Sequence, residues 1–482
     1  MRRIMASVRQ KFGKLKHKTH ELAQRTTDRH LRLAVTGLSG AGKTAFITAL
    51  VDRLLRAGTE ADGSGLPLFQ VCRDGRLLGV RRELQPDLAI ASFDFDAAIA
   101  SLTAAKPSWP ASTRSISELR LTLKYVPTKG MLGKLADSAK LHLDIVDYPG
   151  EWLLDLPMLS QDFNRWSETR FARQSTLEAS PLYPKFVAAL ATLDLYADAD
   201  EQALAAIAES YRLLLLDLVQ QQGFYQAQPG RMLLPGELAG TPILAFFPLL
   251  PEQLQDKQQL TSAGRRSNYQ VLRHRYQQYM AKVVKPFDQE YFAGFDRQLI
   301  LVDCFSALNR GKAQFEDMAE ALNAISASFQ YGQSNLLRRL FAPRIDTLLF
   351  AASKVDQVTR DQQGNVLSLL SAMLAPSRQQ AGFAGSRVET MAISAIKATR
   401  HGMVKDADGV EVEVVCGRRM SDGQKVTLYP GEVPRALPEQ AFWQRQGFHF
   451  CEFAPPDSQP ELGYEHIRLD HLLEFLLGDK LR

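Results

Sequence analysis

Short apolar runs that end in polar turns recur along the chain and predict buried strands. They lie at residues 31–36, 141–147, 346–352 and 388–393. Runs of this length are typical of parallel strands that are covered on both faces. Between them the apolar residues return every three or four positions, as at 45–55, which predicts helices. The pattern therefore predicts an α/β protein with a doubly wound, mostly parallel sheet.

The N-terminal segment combines basic charge with an apolar stripe. Residues 1–32 contain ten Lys and Arg against two acidic residues, and the rest of the chain is slightly acidic. Five apolar residues share one helical face: Ile4, Val8, Phe12, Leu15 and Leu22. A helix over 1–30 could therefore contact an anionic membrane or an acidic partner, or pack on the protein's own body. Since the body is not basic, we expect no nucleic-acid partner.

A glycine-rich loop follows the first strand directly. Residues 37–44 read GLSGAGKT and match the phosphate-binding pattern GxxxxGK[ST] between a strand and a helix. Glycines let successive backbone N–H groups point into one cavity, and the helix N-terminus adds partial positive charge. We expect Lys43 to contact the β- and γ-phosphates and Thr44 to bind Mg²⁺. The predicted nucleotide-binding residues are Gly37, Ser39, Gly40, Ala41, Gly42, Lys43, Thr44 and Ala45.

A second motif follows the strand at 141–147. It reads DYPG, from Asp147 to Gly150. A P-loop protein needs a carboxylate at the end of a neighbouring strand for the Mg²⁺ shell, and Asp147 is the candidate. In the GTPase pattern DxxG the glycine N–H contacts the γ-phosphate. Glu151 stands where such proteins carry a water-orienting Gln, and its charge predicts slow hydrolysis.

Two later strand ends resemble guanine-binding motifs. Residues 353–356 read SKVD and resemble [NT]KxD, in which Asp356 would accept two hydrogen bonds from guanine while the Lys354 stem lies along the base. Adenine lacks this donor pair. The next strand ends in a loop that resembles SAK, whose backbone contacts guanine O6: Ser394, Ala395 and Ile396. Ser353 replaces the Asn that normally braces the phosphate loop, so ATP stays an alternative.

A polar segment before the strand at 118–125 is the candidate switch. Thr113 is predicted to bind Mg²⁺ in the triphosphate state, and Arg114 to act as an internal arginine finger. The alternative is an ordinary polar loop with a surface arginine. Three serines in the same stretch compete with Thr113 for the metal.

The spacing of the motifs indicates insertions into a P-loop NTPase core. About 100 residues separate Lys43 from Asp147, and about 200 separate Gly150 from Ser353. No apolar run approaches the roughly 20 residues that a membrane span needs. The predicted parts are a basic amphipathic helix (1–30), a GTPase-like core (31–57, 109–154 and 296–400), a small insertion (58–108), a large helical insertion (155–295) and a C-terminal β-hairpin with a closing helix (401–482).

These motifs together resemble the YcjX family of bacterial P-loop proteins over nearly the whole chain. The most specific stretches are DIVDYPGEW at 144–152 and EFLLGDKL at 474–481, beside the phosphate loop and SKVD. The resemblance implies a cytoplasmic NTPase that is distantly similar to G-protein α subunits and linked to envelope stress. The family has also been labelled ATPase, in conflict with a guanine site.

Three functions are compatible with these motifs. The first is a GTPase switch that binds GTP or GDP with Mg²⁺ and signals to an unknown protein effector or activator. The second is an ATPase of the same fold, in which Asp356 would not touch the base. The third is a nucleotide-sensitive docking module with little turnover, in which residues 1–30 contact the inner membrane.

Overall fold

The computed structural model describes most of the chain. The residues described are 29–38, 40–59, 65–128, 138–291, 294–328, 347–383, 387–405, 407–445, 447–457 and 463–482. The predicted N-terminal helix lies outside them, apart from its last two residues, and so does Ser39 of the phosphate loop.

A mostly parallel sheet forms the centre of the molecule, as the apolar runs predict. Its strands are β1 (Arg29–Gly37), β2 (Leu77–Glu83), β3 (Ala91–Ser92), β4 (Ser117–Tyr125), β5 (Ala139–Asp147), β6 (Arg297–Val302), β7 (Thr347–Ala352) and β8 (Arg387–Ala392). Their order is β2-β4-β5-β1-β6-β7-β8, with β3 beside β4. Strands β5, β1, β6, β7 and β8 are parallel, and β4 runs antiparallel to β5. The α/β fold is therefore confirmed.

Helices connect the strands and cover both faces of the sheet. Those before β6 are α1 (Lys43–Ala57), α2 (Gln70–Arg73), α3 (Phe95–Thr103), α4 (Phe163–Phe171), α5 (Gln174–Leu177), α6 (Tyr183–Ala191), α7 (Glu201–Gln220), α8 (Gly230–Leu233), α9 (Lys257–Ser262) and α10 (Asn268–Tyr279). Those after it are α11 (Cys304–Arg310), α12 (Lys312–Ser328), α13 (Gln363–Met373), α14 (Ala375–Phe383), α15 (Gln440–Arg445) and α16 (Leu469–Leu477). None of these helices is both long and apolar enough to cross a membrane.

Strand β1 separates two hydrophobic cores because its side chains alternate between the two faces. Leu33 and Val35 pack with α1 and the closing helix α16. Ala34 faces the opposite core, which contains the helices between β5 and β6. Burial on both faces is what a parallel strand in the middle of a sheet requires.

The chain between β5 and β6 contains helices joined by loops, and the structure describes no strand in it apart from an isolated bridge between Asp198 and Ser267. It begins with a 3₁₀ stretch, Gly150–Ser160, which we call the post-glycine segment. Aromatic side chains form the centre of the helical region, where the Trp166 ring lies 5.4 Å from both Phe246 and Tyr276. The helix α10 continues into a π-helical turn, Met280–Val284.

The C-terminal region contains a second, three-stranded antiparallel sheet. The predicted hairpin is present as β10 (Glu411–Arg418) and β11 (Lys425–Leu428). The sequence pattern missed β9 (Thr399–Lys405), which pairs with β10. The reason is that β9 reads TRHGMVK, without the apolar alternation of a half-buried strand. Its place in a sheet depends on β10 rather than on its own composition.

Candidate functional site

The carboxyl ends of the parallel strands meet at one edge of the sheet, and the candidate site lies there. Strand β1 is central, with β5 on one side and β6 on the other. The connection from β1 leads through α1 towards β2, whereas the connection from β5 crosses the other face to β6, so the carboxyl ends of β1 and β5 form a topological switch point. This geometry brings Gly37, Asp147 and Ser353 to the same edge, although they are distant in the sequence.

The phosphate loop has the backbone that its glycines allow. Gly40 and Gly42 have φ of 80° and 82°, in the left-handed region that side chains disfavour. Helix α1 begins directly after Gly42, with its N-terminal N–H groups directed at the loop. The Lys43 Nζ donates a hydrogen bond to the Gly37 carbonyl at 3.0 Å. The loop thus combines an amide cradle, a helix N-terminus and an ammonium group, which together suit an anionic ligand.

Three oxygen-bearing side chains meet beside this loop. The hydroxyl oxygens of Thr44 and Thr113 lie 3.3 Å apart, and Thr113 donates a hydrogen bond to Oδ2 of Asp147. Because β4 pairs antiparallel with β5, with Ser117 opposite Asp147, the segment before β4 returns to the phosphate loop. The other oxygen, Asp147 Oδ1, is buried and has no hydrogen-bond partner within the described chain. Such a set of hard oxygen donors fits Mg²⁺.

Burial changes the acidity of the Asp147 carboxyl. It raises the pKa from 3.8 to about 6, although the Thr113 hydrogen bond and the Lys43 charge act in the opposite direction. A carboxyl with a raised pKa destabilises the fold once it ionises, so stability decreases as the pH rises from about 4 to about 6. A metal ion at this position would offset that cost.

We therefore expect Asp147→Asn to stabilise the nucleotide-free protein by about 2–3 kcal/mol at pH 7.5, because the amide carries no charge to bury. The advantage over the wild type should shrink as the pH falls from about 6 to about 4, where the Asp147 carboxyl becomes protonated. Chemical unfolding at several pH values measures it. The same variant should lose Mg²⁺-dependent nucleotide binding, and equal stability of the two proteins at every pH would contradict the assignment of a buried, ionised carboxylate.

The start of the post-glycine segment is held between two backbone contacts. A Cβ on Gly150 would lie 2.0 Å from the Gly37 carbonyl oxygen, so only glycine fits against the phosphate loop. On the other side, a Cβ on Gly230 would lie 1.8 Å from the Glu151 carbonyl oxygen. The backbone of residues 150–151 therefore touches the phosphate loop and helix α8 at the same time.

The SKVD motif forms an ion pair that the motif itself does not predict. Lys354 adopts a left-handed backbone with φ of 62°, and its Nζ lies 2.6 Å from Oδ2 of Asp303 at the end of β6. Burial raises the pKa of Asp303, but the Lys354 charge and hydrogen bonds from Ser306 outweigh it and lower the pKa below its ordinary value. Ser353 donates to the Val302 carbonyl instead of reaching the phosphate loop.

Asp356 is buried and hydrogen-bonded within the chain. One carboxylate oxygen accepts from the Ser394 hydroxyl at 2.7 Å. The other accepts from the backbone N–H of Ala398 at 2.8 Å and of Thr399 at 3.2 Å. The side chain joins the SKVD turn to the SAIK loop, and only 2% of Asp356 is exposed.

Two of the predicted catalytic residues flank the site residues, and two residues that make close contacts here were not predicted as site residues. Arg114 is exposed next to Thr113, and Glu151 is half-buried beside Gly150. The sequence interpretation missed Asp303 and Gly230. Asp303 carries the signal that identified Asp147, a carboxylate directly after a buried strand. Gly230 carries no such signal, because its close contact is with a residue far away in the sequence.

Comparison with known proteins finds a family model and two relatives that match nearly the whole chain. A family model described as YcjX-like family, DUF463, matches residues 31–481. A protein of Shewanella oneidensis named Ras-like GTPase YcjX is 61% identical over 477 residues, which cover 97% of this chain and 98% of that protein. A protein of the same name from Escherichia coli is 45% identical over 469 residues, which cover 97% of this chain and 100% of the relative.

Proposed function

Because the chain belongs to the YcjX-like family, we propose that it is a Mg²⁺-dependent, GTP-binding switch that hydrolyses GTP slowly. The name of the two relatives, Ras-like GTPase, supports guanine nucleotide as the ligand. The observation that carries the proposal is the convergence of Thr44, Thr113 and Asp147 beside the phosphate loop.

Each residue of the site has a role in this proposal. The loop N–H groups and Lys43 hold the phosphates, and Thr44, Thr113 and Asp147 would hold Mg²⁺, which neutralises charge on the phosphate oxygens. Arg114 would approach the γ-phosphate from the exposed segment beside Thr113. Glu151 would accept a hydrogen bond from the attacking water, and its repulsion of the γ-phosphate makes hydrolysis slow.

The base would be read by the SKVD and SAIK loops. Asp356 would accept two hydrogen bonds from guanine, Lys354 would lie along the ring, and the backbone of residues 394–396 would contact O6. A carboxylate has about four lone-pair sites, and the chain occupies three of them in this structure. Guanine binding therefore requires at least one of these internal hydrogen bonds to give way.

We expect Asp356→Asn to weaken GTP binding about 10–100-fold and to leave weak ATP binding unchanged. The same variant should gain affinity for xanthosine triphosphate, because xanthine has a carbonyl where guanine has its 2-amino group, and an amide can donate to it. Equilibrium binding of fluorescent nucleotides with Mg²⁺ measures all three affinities. The gain in affinity for xanthosine triphosphate would show that recognition of the base has changed, because a misfolded variant would lose affinity for every nucleotide.

The matched control is Asp361→Asn, which removes an exposed carboxylate five residues away. It should bind all three nucleotides as the wild type does. If the wild type binds ATP as well as GTP, and the substitution of Asp356 changes neither, the ATPase alternative takes the place of the guanine switch.

The output of the switch would pass through the post-glycine segment. Asp155 in this segment accepts from the Gly230 N–H at 2.7 Å and from the Tyr279 hydroxyl at 2.5 Å. The Trp152 indole donates to the Leu234 carbonyl at 3.0 Å. If Gly150 shifted towards a γ-phosphate, the post-glycine segment would shift with it and would alter its hydrogen bonds to α8, to the residue after α8 and to α10.

We interpret residues 155–295 as a helical insertion domain that reports the nucleotide state to a protein effector, in a bacterial envelope-stress response. Residues 1–30 would supply a contact with the inner membrane from the cytoplasmic side, which co-sedimentation with anionic vesicles would test. These assignments extend the proposal beyond the nucleotide site, and they rest on the position of the helices and on the basic charge of the N-terminal segment.

A further inference from the structure

The candidate switch, the polar segment that precedes β4, is anchored at its start by a tryptophan. The indole N–H of Trp109 donates a hydrogen bond to the Phe453 carbonyl at 2.9 Å. The backbone N–H of the preceding residue, Ser108, donates to the carbonyl of Ser101 in α3 at 3.0 Å. Both contacts reach segments outside the candidate switch, so they fix the chain at the point where the segment begins.

The same tryptophan packs beside the loop that is proposed to bind the base. Trp109 packs against a small hydrophobic cluster whose four buried members come from distant segments of the chain: Ala49, Leu102, Ile396 and Tyr464. Ile396 belongs to the SAIK loop, and its neighbour Ala395 also packs against this cluster. The position of Trp109 is therefore tied to the position of the SAIK loop, because close-packed side chains do not move independently.

A short exposed stretch joins this anchor to the proposed metal site. Residues 111–112 and 114–115 are exposed, whereas Thr113 between them is half-buried. The Thr113 hydroxyl meets the two other oxygen-bearing side chains beside the phosphate loop. Thr113 follows Trp109 by only four positions in the chain. The anchor therefore limits where this hydroxyl can lie, because so short a stretch has a short reach.

We infer that Trp109 is a positioning residue that makes Mg²⁺ binding by Thr113 depend on the base of the nucleotide. A guanine that binds the backbone of residues 394–396 would hold the SAIK loop in place, and Trp109 with it. Thr113 then loses less conformational freedom when it closes on the metal. Adenine has an amino group where guanine has the O6 carbonyl, so ATP would leave the anchor less restricted. The inference rests on the proposed guanine site.

The test measures how much Mg²⁺ raises the affinity of the full-length protein for each nucleotide. Fluorescent GTP and ATP analogues are titrated in Mg²⁺ and in EDTA, and the ratio of the two dissociation constants is the Mg²⁺ gain. Both nucleotides carry the same triphosphate, so a difference between their gains must arise through the protein. In the wild type we expect a gain about tenfold larger for GTP, within the usual range of coupling between two sites. In Trp109→Ala the two gains should be equal.

Trp443→Ala is the matched control, because Trp443 is also half-buried and its indole N–H also donates to a carbonyl, that of Pro438 at 3.2 Å. It should keep the tenfold difference. Trp109→Phe retains an aromatic ring against the cluster without the N–H donor, and it should restore part of the difference. If Trp109→Ala does not fold, a variant with two glycines inserted after Ala111 decides. It keeps the anchor and the hydroxyl but lengthens the exposed stretch between them, so the difference should shrink.

The possible outcomes separate this inference from the proposed function. A wild type that binds GTP, but with equal Mg²⁺ gains for GTP and ATP, overturns the inference and leaves the GTP-binding switch standing. A tenfold difference that persists in Trp109→Ala, or in the glycine-insertion variant, overturns it as well. A wild type that does not bind GTP refutes the proposed function itself, and the inference fails with it.

Discussion

Replacing Lys43 by methionine is expected to lower the affinity for GTP about 100-fold or more while leaving the fold intact. Within the described chain, the Lys43 Nζ donates a hydrogen bond only to the Gly37 carbonyl, and this bond is only partly buried. The loss of the ammonium group should therefore cost the folded protein little stability. With a nucleotide, the ammonium group would make charge-assisted hydrogen bonds to two phosphates. Each is worth about 1.5–3 kcal/mol, and about 1.4 kcal/mol corresponds to tenfold in affinity.

Titration calorimetry with GTP and Mg²⁺ measures this loss directly. Lys185→Met is the matched control, because Lys185 is exposed on α6 in the helical region, and this variant should bind as the wild type does. An unchanged affinity in Lys43→Met would mean that the glycine-rich loop does not hold phosphates, and the proposed function would then fail with it.

Gly150→Ala is expected to reduce GTP hydrolysis about 100-fold and to destabilise the protein. The added Cβ would lie 2.0 Å from the Gly37 oxygen and 2.7 Å from the Gly37 carbonyl carbon. Both are backbone atoms, so the clash cannot be relieved by a side-chain rotation. The phosphate loop and the post-glycine segment would have to separate, and a misplacement of about 1 Å in a site can lower a rate about 100-fold.

Gly230→Ala tests the same segment from its other side. Its Cβ would lie 1.8 Å from the carbonyl oxygen of Glu151, the residue proposed to orient the attacking water. If the helical region is coupled to the switch, this variant should also slow hydrolysis, in a single-turnover assay with purified protein. Gly364→Ala is the control for both, since nothing lies within 4 Å of its added Cβ. Wild-type turnover in Gly150→Ala would contradict the role of the glycine contact.

The candidate switch illustrates what the linear pattern leaves open. Thr113 competes with three nearby serines in the sequence, because all four hydroxyl groups are chemically suitable. The antiparallel register, with Ser117 opposite Asp147, brings the Thr113 hydroxyl to Asp147. Register depends on the pairing of two strands, and a single polar segment contains no information about it.

The sequence by itself determined the features that depend on consecutive residues. The buried strands were predictable because continuous apolar runs, such as LILV in β6 and LLFAA in β7, are stable only in a hydrophobic interior. The phosphate loop was predictable for a similar reason, since its glycines, its lysine and the N-terminus of α1 are adjacent in the chain.

Only the tertiary structure decided the contacts between distant segments. Lys354 pairs with Asp303 across two strands, Asp356 binds the backbone of residues 398–399, and Gly230 touches Glu151. Each contact depends on how separate elements pack, and packing is a property of the whole core rather than of local composition. The burial of Arg170 belongs to this class as well, because a sequence does not reveal which arginine of an amphipathic helix will face inward.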